Sequence, residues 1–357
     1  MKKRALGFLL AGCLLLTACG GGETVTPFVI VAPKTTAEGS VEPAERETET
    51  VTNPLTGLPM SASLENRRPV AVMLNDLKAA LPQLGVSQAD IIYEVPAEGG
   101  ITRMLALFSD IETAGALGSV RSTRSYYLEL ALGHDAILVH AGGSPEAYAD
   151  MPRWGVDHLD GVRGGTDADI FWRDPERRKN AGYEHSLLTD GGKVSGYLES
   201  SGLRTTHEPG HTDGLCFVQD GTPAGETGAK EVSVRFSNYK TGTFHYDVYE
   251  KLYQVGQYGK PYLDGNTNTQ VSVTNVLILK TGVSLLSGDA EGRLAVEIDG
   301  TGDGIFCCGG RATDIQWSKP GREDAITYAL PDGTPLALGA GKTYVCVVNT
   351  GSQIEIS

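Results

Sequence analysis

The stretch Ile91–Asp150 reads IIYEVPAEGGITRMLALFSDIETAGALGSVRSTRSYYLELALGHDAILVHAGGSPEAYAD. Apolar runs of strand length alternate with Gly-rich turns, and Glu94, Glu98, Arg103, Arg121, Arg124 and His140 sit at the turns and run-ends. Asp90–Val95 reads as a strand closed by Pro96, which has no N–H for a ladder. Gly99 and Gly100 turn the chain into a second strand, Ile101–Phe108. Thr123–Leu132 has Tyr126, Tyr127, Leu130 and Ala131 at helical spacing, with Gly133 as its stop signal. Asp135–His140 is again a strand, and Ser144-Pro145 opens a further helix with Ser144 as N-cap and Pro145 at the first helical position. Strand, helix, strand, helix is a crossover order, which predicts an α/β domain with its site at the strand ends.

Working outward, Pro69–Leu74 is continuously apolar and predicts a strand buried on both faces, ending at Asn75-Asp76. From Asp157 to about Gly225 the periodicity weakens. The charged run Glu176–Lys179 reads as a solvated face or loop, and Lys193–Ser200 as a short helix. From Glu231 onward the period-two segments EVSVRFS, FHYDVYEKLYQV, QVSVTNVLILK, RLAVEIDG and TYVCVVN predict an antiparallel meander. With 357 residues, 46 Gly and 17 Pro, the chain fits a turn-rich α+β protein of about two parts.

The amino terminus carries a different kind of signal. Met1-Lys-Lys-Arg4 is followed by the apolar Ala5–Leu16, too short to cross a bilayer, and then by Leu16-Thr17-Ala18-Cys19. This is similar to a bacterial lipobox. It predicts a signal peptide over 1–18, an acylated Cys19 and a lipid-anchored chain at the extracytoplasmic face of the membrane. Residues 19–52 are rich in Thr, Glu, Pro and Ala and predict a disordered tether. The remainder divides into an α/β part over 53–225 and a β-rich part over 226–357. Outside the cytoplasm the four later cysteines, Cys216, Cys307, Cys308 and Cys346, permit disulfides, and the simplest expectation pairs Cys307 or Cys308 with Cys346. A formal net charge of −14 argues against nucleic acid as a partner.

Several long stretches then carry a resemblance: Asn53–Pro59 (NPLTGLP), Arg68–Asn75 (RPVAVMLN), Gln88–Arg103, Ser119–Tyr148, Phe171–Asp174 (FWRD), Asn275–Lys280 (NVLILK) and Ile315–Pro320 (IQWSKP). Together they resemble the YerB-like family of bacterial lipoproteins. The resemblance implies an extracytoplasmic lipoprotein of layered sheets with helices on one side, and it implies no reaction. The family tends to show a basic, His-Asn-containing segment after FWRD; Lys179–Ser186 departs from it, so no role is carried over to His185.

Among the candidate sites, Ser119–Ser125 places Arg121 and Arg124, with Ser122 and Thr123, at the start of a helix. Cations there oppose the helix dipole, whereas free N–H groups favour an anion. The expectation is a seat for a carboxylate or phosphate, built from Arg121, Arg124, Ser122, Thr123, Arg103 and His140; internal pairing of Arg121 and Arg124 with Glu94, Glu98 or Asp76 is the alternative. Glu94 and Glu98 are the candidate acid and base of a glycan-cleaving enzyme. His207-Glu208-Pro209-Gly210-His211 matches H-E-x-x-H, yet Pro209 and Gly210 forbid the helix that motif requires, so no metal and no cofactor is expected. Ser144 reads as a cap because Pro145 removes an N–H an oxyanion hole would use. Phe244, Tyr246, Tyr249, Tyr253 and Tyr258 read as cross-strand aromatics rather than a sugar platform. The set predicts a membrane-tethered binding protein for an anionic group on an envelope glycan or protein.

Overall fold

A computed structural model describes residues 49–165, 169–225 and 227–357. The expected signal peptide, Cys19 and the expected tether up to residue 48 lie outside the described residues. The last residues of the expected tether are structured: Thr50–Thr52 pairs antiparallel with Pro59–Ser61 across the Asn53–Leu58 turn.

The organising element is a ten-stranded mixed sheet. In spatial order its strands are Thr327–Ala329, Arg311–Lys319, Gly300–Cys308, Asn275–Thr281, Thr343–Asn349, Ile91–Pro96, Thr102–Phe108, Val70–Asn75, Ile137–His140 and His158–Asp160. The two parts expected over 53–225 and 226–357 therefore contribute strands to one sheet. Their join is Thr343–Asn349, which pairs parallel both with Asn275–Thr281 and with Ile91–Pro96. That parallel strand corrects the expectation of an antiparallel meander throughout the second part.

The central strands are apolar on alternate residues facing both ways, so both faces must be covered. On one face Ala71, Met73, Tyr93, Leu105, Leu107, Leu277 and Val345 pack against the helices α1 (Ser125–Gly133) and α2 (Pro145–Trp154) through Tyr126, Tyr127, Leu130, Ala147 and Met151. On the other, Val72, Leu74, Ile92, Met104, Ala106, Val276 and Ile278 meet Val232, Val234, Phe244, Tyr253 and Val255. These last belong to a second sheet in the order Lys260–Pro261, Leu252–Gln257, Thr241–Asp247, Glu231–Arg235, Ile354–Ile356, with Ser272–Val273 also paired to Leu252–Gln257. The result is a sheet, sheet, helix layering.

The weakly periodic region is more structured than its sequence suggests. Ala116–Gly118, Leu187–Asp190 and Phe171–Arg173 form a small antiparallel sheet. The charged run is a short helix, α3 (Pro175–Asn180), whose N-cap Asp174 accepts from the Arg177 N–H at 2.7 Å. A fourth helix, α4 (Gly191–Ser201), buries Val194 and Leu198 on the second-sheet side. Cys307 and Cys346 are buried free thiols on strands that flank Asn275–Thr281 from opposite sides. Two strand spacings, roughly 9.6 Å, exceed the reach of a disulfide, so the expected bridge does not form.

Candidate functional site

Glu94 lies in the interface between the two sheets. Ile91–Pro96 points Glu94 toward the second sheet, where Lys240 Nζ approaches Glu94 Oε1 at 3.2 Å and Asp76 Oδ2 at 2.5 Å. Thr102 Oγ1 lies within 2.8 Å of both carboxyl groups and donates its single proton to one of them, Tyr344 donates to Glu94 Oε2 at 2.6 Å, and Gln257 Nε2 donates to the same oxygen at 3.2 Å. Asp76 and Glu94 are fully buried and Lys240 is 1% exposed. Two carboxyls face one ammonium, so the cluster retains a proton. Burial pushes Asp76 up to about 8, against the pull of Lys240. For Glu94 burial is outweighed by Lys240 and the Tyr344 hydrogen bond, and its carboxyl falls below the usual range. A sealed carboxylate of this kind cannot reach a glycan, so Glu94 is corrected from candidate acid or base to sheet-joining ion.

Glu98 is also engaged. Its Oε1 lies 2.5 Å from both Arg103 Nη2 and Arg124 Nη2. The two guanidiniums outweigh burial and hold the Glu98 carboxyl low. Arg103 further donates to the Ser122 carbonyl at 2.8 Å and Arg124 to the Thr123 carbonyl at 2.6 Å. For Arg124 the internal-pairing alternative describes the structure, Arg103 shares the same glutamate, and the dipole conflict at the α1 start is answered by Glu98. Thr123 is fully buried, its N–H on the Gly142 carbonyl at 3.0 Å.

Arg121 behaves differently. The segment 119–123 inserts at the carboxyl ends of the parallel strands Val70–Asn75 and Ile137–His140: Arg121 N–H bonds the Met73 carbonyl, and the Ala141 N–H bonds the Arg121 carbonyl, each at 2.9 Å. Such ends are where sheets of this type leave crevices. Here the crevice is a cavity of about 350 Å³ lined by Arg121, Ser122, Gly142, Gly143, Tyr148, Arg163, Arg173, Tyr183 and Glu184, among others. Arg163 lies 3.7 Å over the Tyr148 ring and Arg173 3.5 Å over the Tyr183 ring. Arg121 Nη2 donates to Glu184 Oε2 at 2.8 Å, a largely exposed carboxylate. Buried Arg121 Nε has no hydrogen-bond partner among the described residues. Neither Arg163 nor Arg173 has a carboxylate at ion-pair distance among the described residues.

The cavity floor is rigid. Asp160 Oδ1 accepts the N–H groups of Gly142 and Val162, each at 2.9 Å, and Asp160 Oδ2 accepts from Tyr148 at 2.6 Å. Burial raises the Asp160 carboxyl, but these bonds and His140 outweigh it and hold it ionised. Gly142 has φ +79°, and a Cβ there would approach Ser122 Oγ at 3.4 Å, so the tight turn calls for glycine. His140 is fully buried beneath the floor, Nδ1 2.8 Å from the Gly142 carbonyl and Nε2 3.0 Å from His158 Nδ1. It braces the turn and does not line the cavity, which corrects its expected place. Ser144 Oγ accepts from the Ala147 N–H at 3.2 Å as an N-cap. His185 sits behind Glu184, with Nδ1 2.8 Å from Asn75 Nδ2; burial and then Arg121 lower its affinity for a proton.

Of the six expected ligand-binding residues, the structure places Arg121 and Ser122 on the cavity, and buries or pairs Arg103, Thr123, Arg124 and His140 elsewhere. Arg163 and Arg173, which sequence reasoning passed over, replace them. Arg173 lies inside the FWRD motif, the one sequence signal that pointed near it.

The architecture and its charge-lined strand-end cavity define an α+β family whose two halves are joined in one sheet, and comparison with known proteins gives the family. The chain belongs to the DUF3048 family of proteins of unknown function: the family's N-terminal domain matches residues 55–204 and its C-terminal domain residues 232–345. It is similar to YerB of Bacillus subtilis (strain 168), which carries the name of an inferred lipoprotein, at 30% identity over 306 residues, covering 85% of this chain and 88% of that protein. The crystal structure of the Bacillus subtilis YerB protein superposes with a TM-score of 0.73 at 27% identity, covering 85% of this chain and 99% of that one. No helix among the described residues is long and apolar enough to cross a membrane.

Proposed function

We propose that this chain is a lipid-anchored lipoprotein of the extracytoplasmic membrane face that binds an anionic group of an envelope polymer or protein in the Arg121–Arg163–Arg173 cavity. The observation that carries the reading is the charge imbalance: three guanidiniums line the cavity, and among the described residues the one carboxylate at ion-pair distance from any of them is the exposed Glu184. Planar guanidiniums suit carboxylate or phosphate oxygens, and stacking on Tyr148 and Tyr183 holds two of them in place before a ligand arrives. Catalysis finds no support in the two glutamates, because Glu94 is sealed and Glu98 is shared by two arginines.

Calorimetric titration of the full chain with a phosphodiester-linked wall-polymer fragment and with an acidic wall peptide tests the reading. Saturable binding of one probe is expected, weakened at least tenfold in Arg163→Ala and in Arg121→Ala, since a hydrogen bond to a charged group contributes about 1.5–3 kcal/mol. Equal affinity in wild type and both variants removes the cavity from function. Mass analysis of the membrane-fraction chain for an acyl group on Cys19, with Cys19→Ala as control, tests the anchor separately.

A further inference from the structure

The H-E-x-x-H match at 207–211 is free of helix, as Pro209 and Gly210 require, yet the fold brings its histidines together by another route. Gly210 adopts φ +86°, and the His211 N–H closes a turn onto the Glu208 carbonyl at 3.0 Å. This returns His211 over His207, with ring centroids 4.5 Å apart and planes within 10°. The same loop wraps the carboxyl end of α1, where Asp135 projects. His207 Nδ1 lies 3.2 Å from Asp135 Oδ2. One donor atom from each of Asp135, His207 and His211 falls within 4.8 Å of the other two.

We propose that Asp135, His207 and His211 form a binding site for a divalent transition-metal ion of the zinc, cobalt or nickel kind. Two imidazole nitrogens and one carboxylate oxygen are the donor set such ions prefer over magnesium or calcium, which take oxygen. A tetrahedral ion with bonds of about 2.0–2.1 Å separates its ligand atoms by roughly 3.3 Å. The His207–Asp135 separation, 3.2 Å, is close to that value; parallel rings cannot both aim an in-plane lone pair at one ion, so His211 turns out of the stack to join.

Three further observations point the same way. His211 Nε2 is buried without a hydrogen-bond partner; the nearest carboxylate oxygen, Asp213 Oδ1, is 3.7 Å away and already bonded to His134 Nδ1 at 2.6 Å. Asp135 is fixed by Arg204 at 2.6 and 2.8 Å and by the Glu208 N–H at 3.0 Å, the outer support that metal-bound carboxylates commonly have. Arg68 and Arg204 are outnumbered in this ion-pair cluster by Asp135, Asp157, Glu208 and Asp213, which leaves two negative charges for a divalent ion to neutralise. The site opens on a cavity of about 650 Å³ lined by Glu208, Pro209, Gly210, His211 and Thr212, among others, which gives an ion a way in.

The full chain, stripped with chelator, is titrated with Zn²⁺ against a chromogenic competitor. One ion per chain is expected, with affinity lowered at least tenfold in His207→Ala and in His211→Ala and unchanged in His245→Ala, whose imidazole is exposed on the second sheet. Wild-type chain loaded with Co²⁺ supplies a readout that needs no variant: visible bands of a low-symmetry nitrogen–oxygen site, abolished by one equivalent of Zn²⁺. Failure of the wild type to bind, retention of binding in the double histidine variant, or displacement by Mg²⁺ as readily as by Zn²⁺ each overturns the site.

Discussion

The cluster around Lys240 and the cavity around Arg121 are both built from charge delivered to strand ends, and they differ in who supplies the counter-charge. At Lys240 every partner comes from the chain itself. Asp76, Glu94 and Thr102 come from the first half and Lys240, Gln257 and Tyr344 from the second, all held between two sheets away from water. At Arg121 the one carboxylate at ion-pair distance among the described residues is Glu184, on an open wall. A buried charge left unmatched is too costly to persist, so internal matching accompanies sealing. An open cationic wall tolerates imbalance because water and a ligand share the task. The contrast separates charge that joins two sheets from charge that awaits a partner.

The contrast breaks most visibly at Lys240. Lys240→Met leaves two carboxyls facing each other without a cation, and loss of about 3–5 kcal/mol in urea unfolding is expected; a loss under 1 kcal/mol would show that the cluster is not what holds the sheets. Next in size is a pH effect. The folded chain keeps a proton on Asp76 up to about pH 8 that the unfolded chain releases near 3.8. The native state therefore holds the extra proton between those values, and stability falls as pH rises through that window. Asp76→Asn, which imitates the protonated acid, is expected to flatten the fall between pH 5 and 8; unfolding curves with equal slopes in both proteins would contradict it. Smallest is Glu184→Gln at the cavity mouth. An exposed pair contributes at most about 1 kcal/mol, so folding stability should stay within that, while affinity for the anionic probe rises a few-fold as the competing carboxylate is removed. Weaker binding would make Glu184 part of the recognition surface.

What the sequence made legible was local. The continuous apolar run at Pro69–Leu74, the spacing of Tyr126, Tyr127 and Leu130, and the Ser144-Pro145 start each report one element's own physics, and each element is there within two residues or so. The broken dipole rule at the start of α1 correctly marked an electrostatic demand, but its answer, Glu98, lies 26 residues away from Arg124. The Lys240–Asp76 pair spans 164 residues, and nothing in the local pattern around Lys240 distinguishes it from a solvated turn lysine. Arg163 and Arg173 were hidden for the same reason. Their segments carry no strong period, and two separate pairings place them: Arg163 follows His158–Asp160 on the large sheet, and Arg173 ends Phe171–Arg173, which pairs with Leu187–Asp190. At His207–His211 the local rule excluded a helix and had no means of foreseeing a stacked turn.

The strand Thr343–Asn349 has a consequence for how the molecule comes into being. It seals a seam between Ile91–Pro96 and Asn275–Thr281 and follows both of them in the chain. Until Thr343–Asn349 has left the ribosome, the first half presents an apolar, unpaired strand edge open to any passing chain, and pairings this distant in sequence are slow to form. A nascent chain of this kind keeps that edge open until its joining strand emerges, and a nonsense codon anywhere before Thr343 would leave both halves without their shared seam.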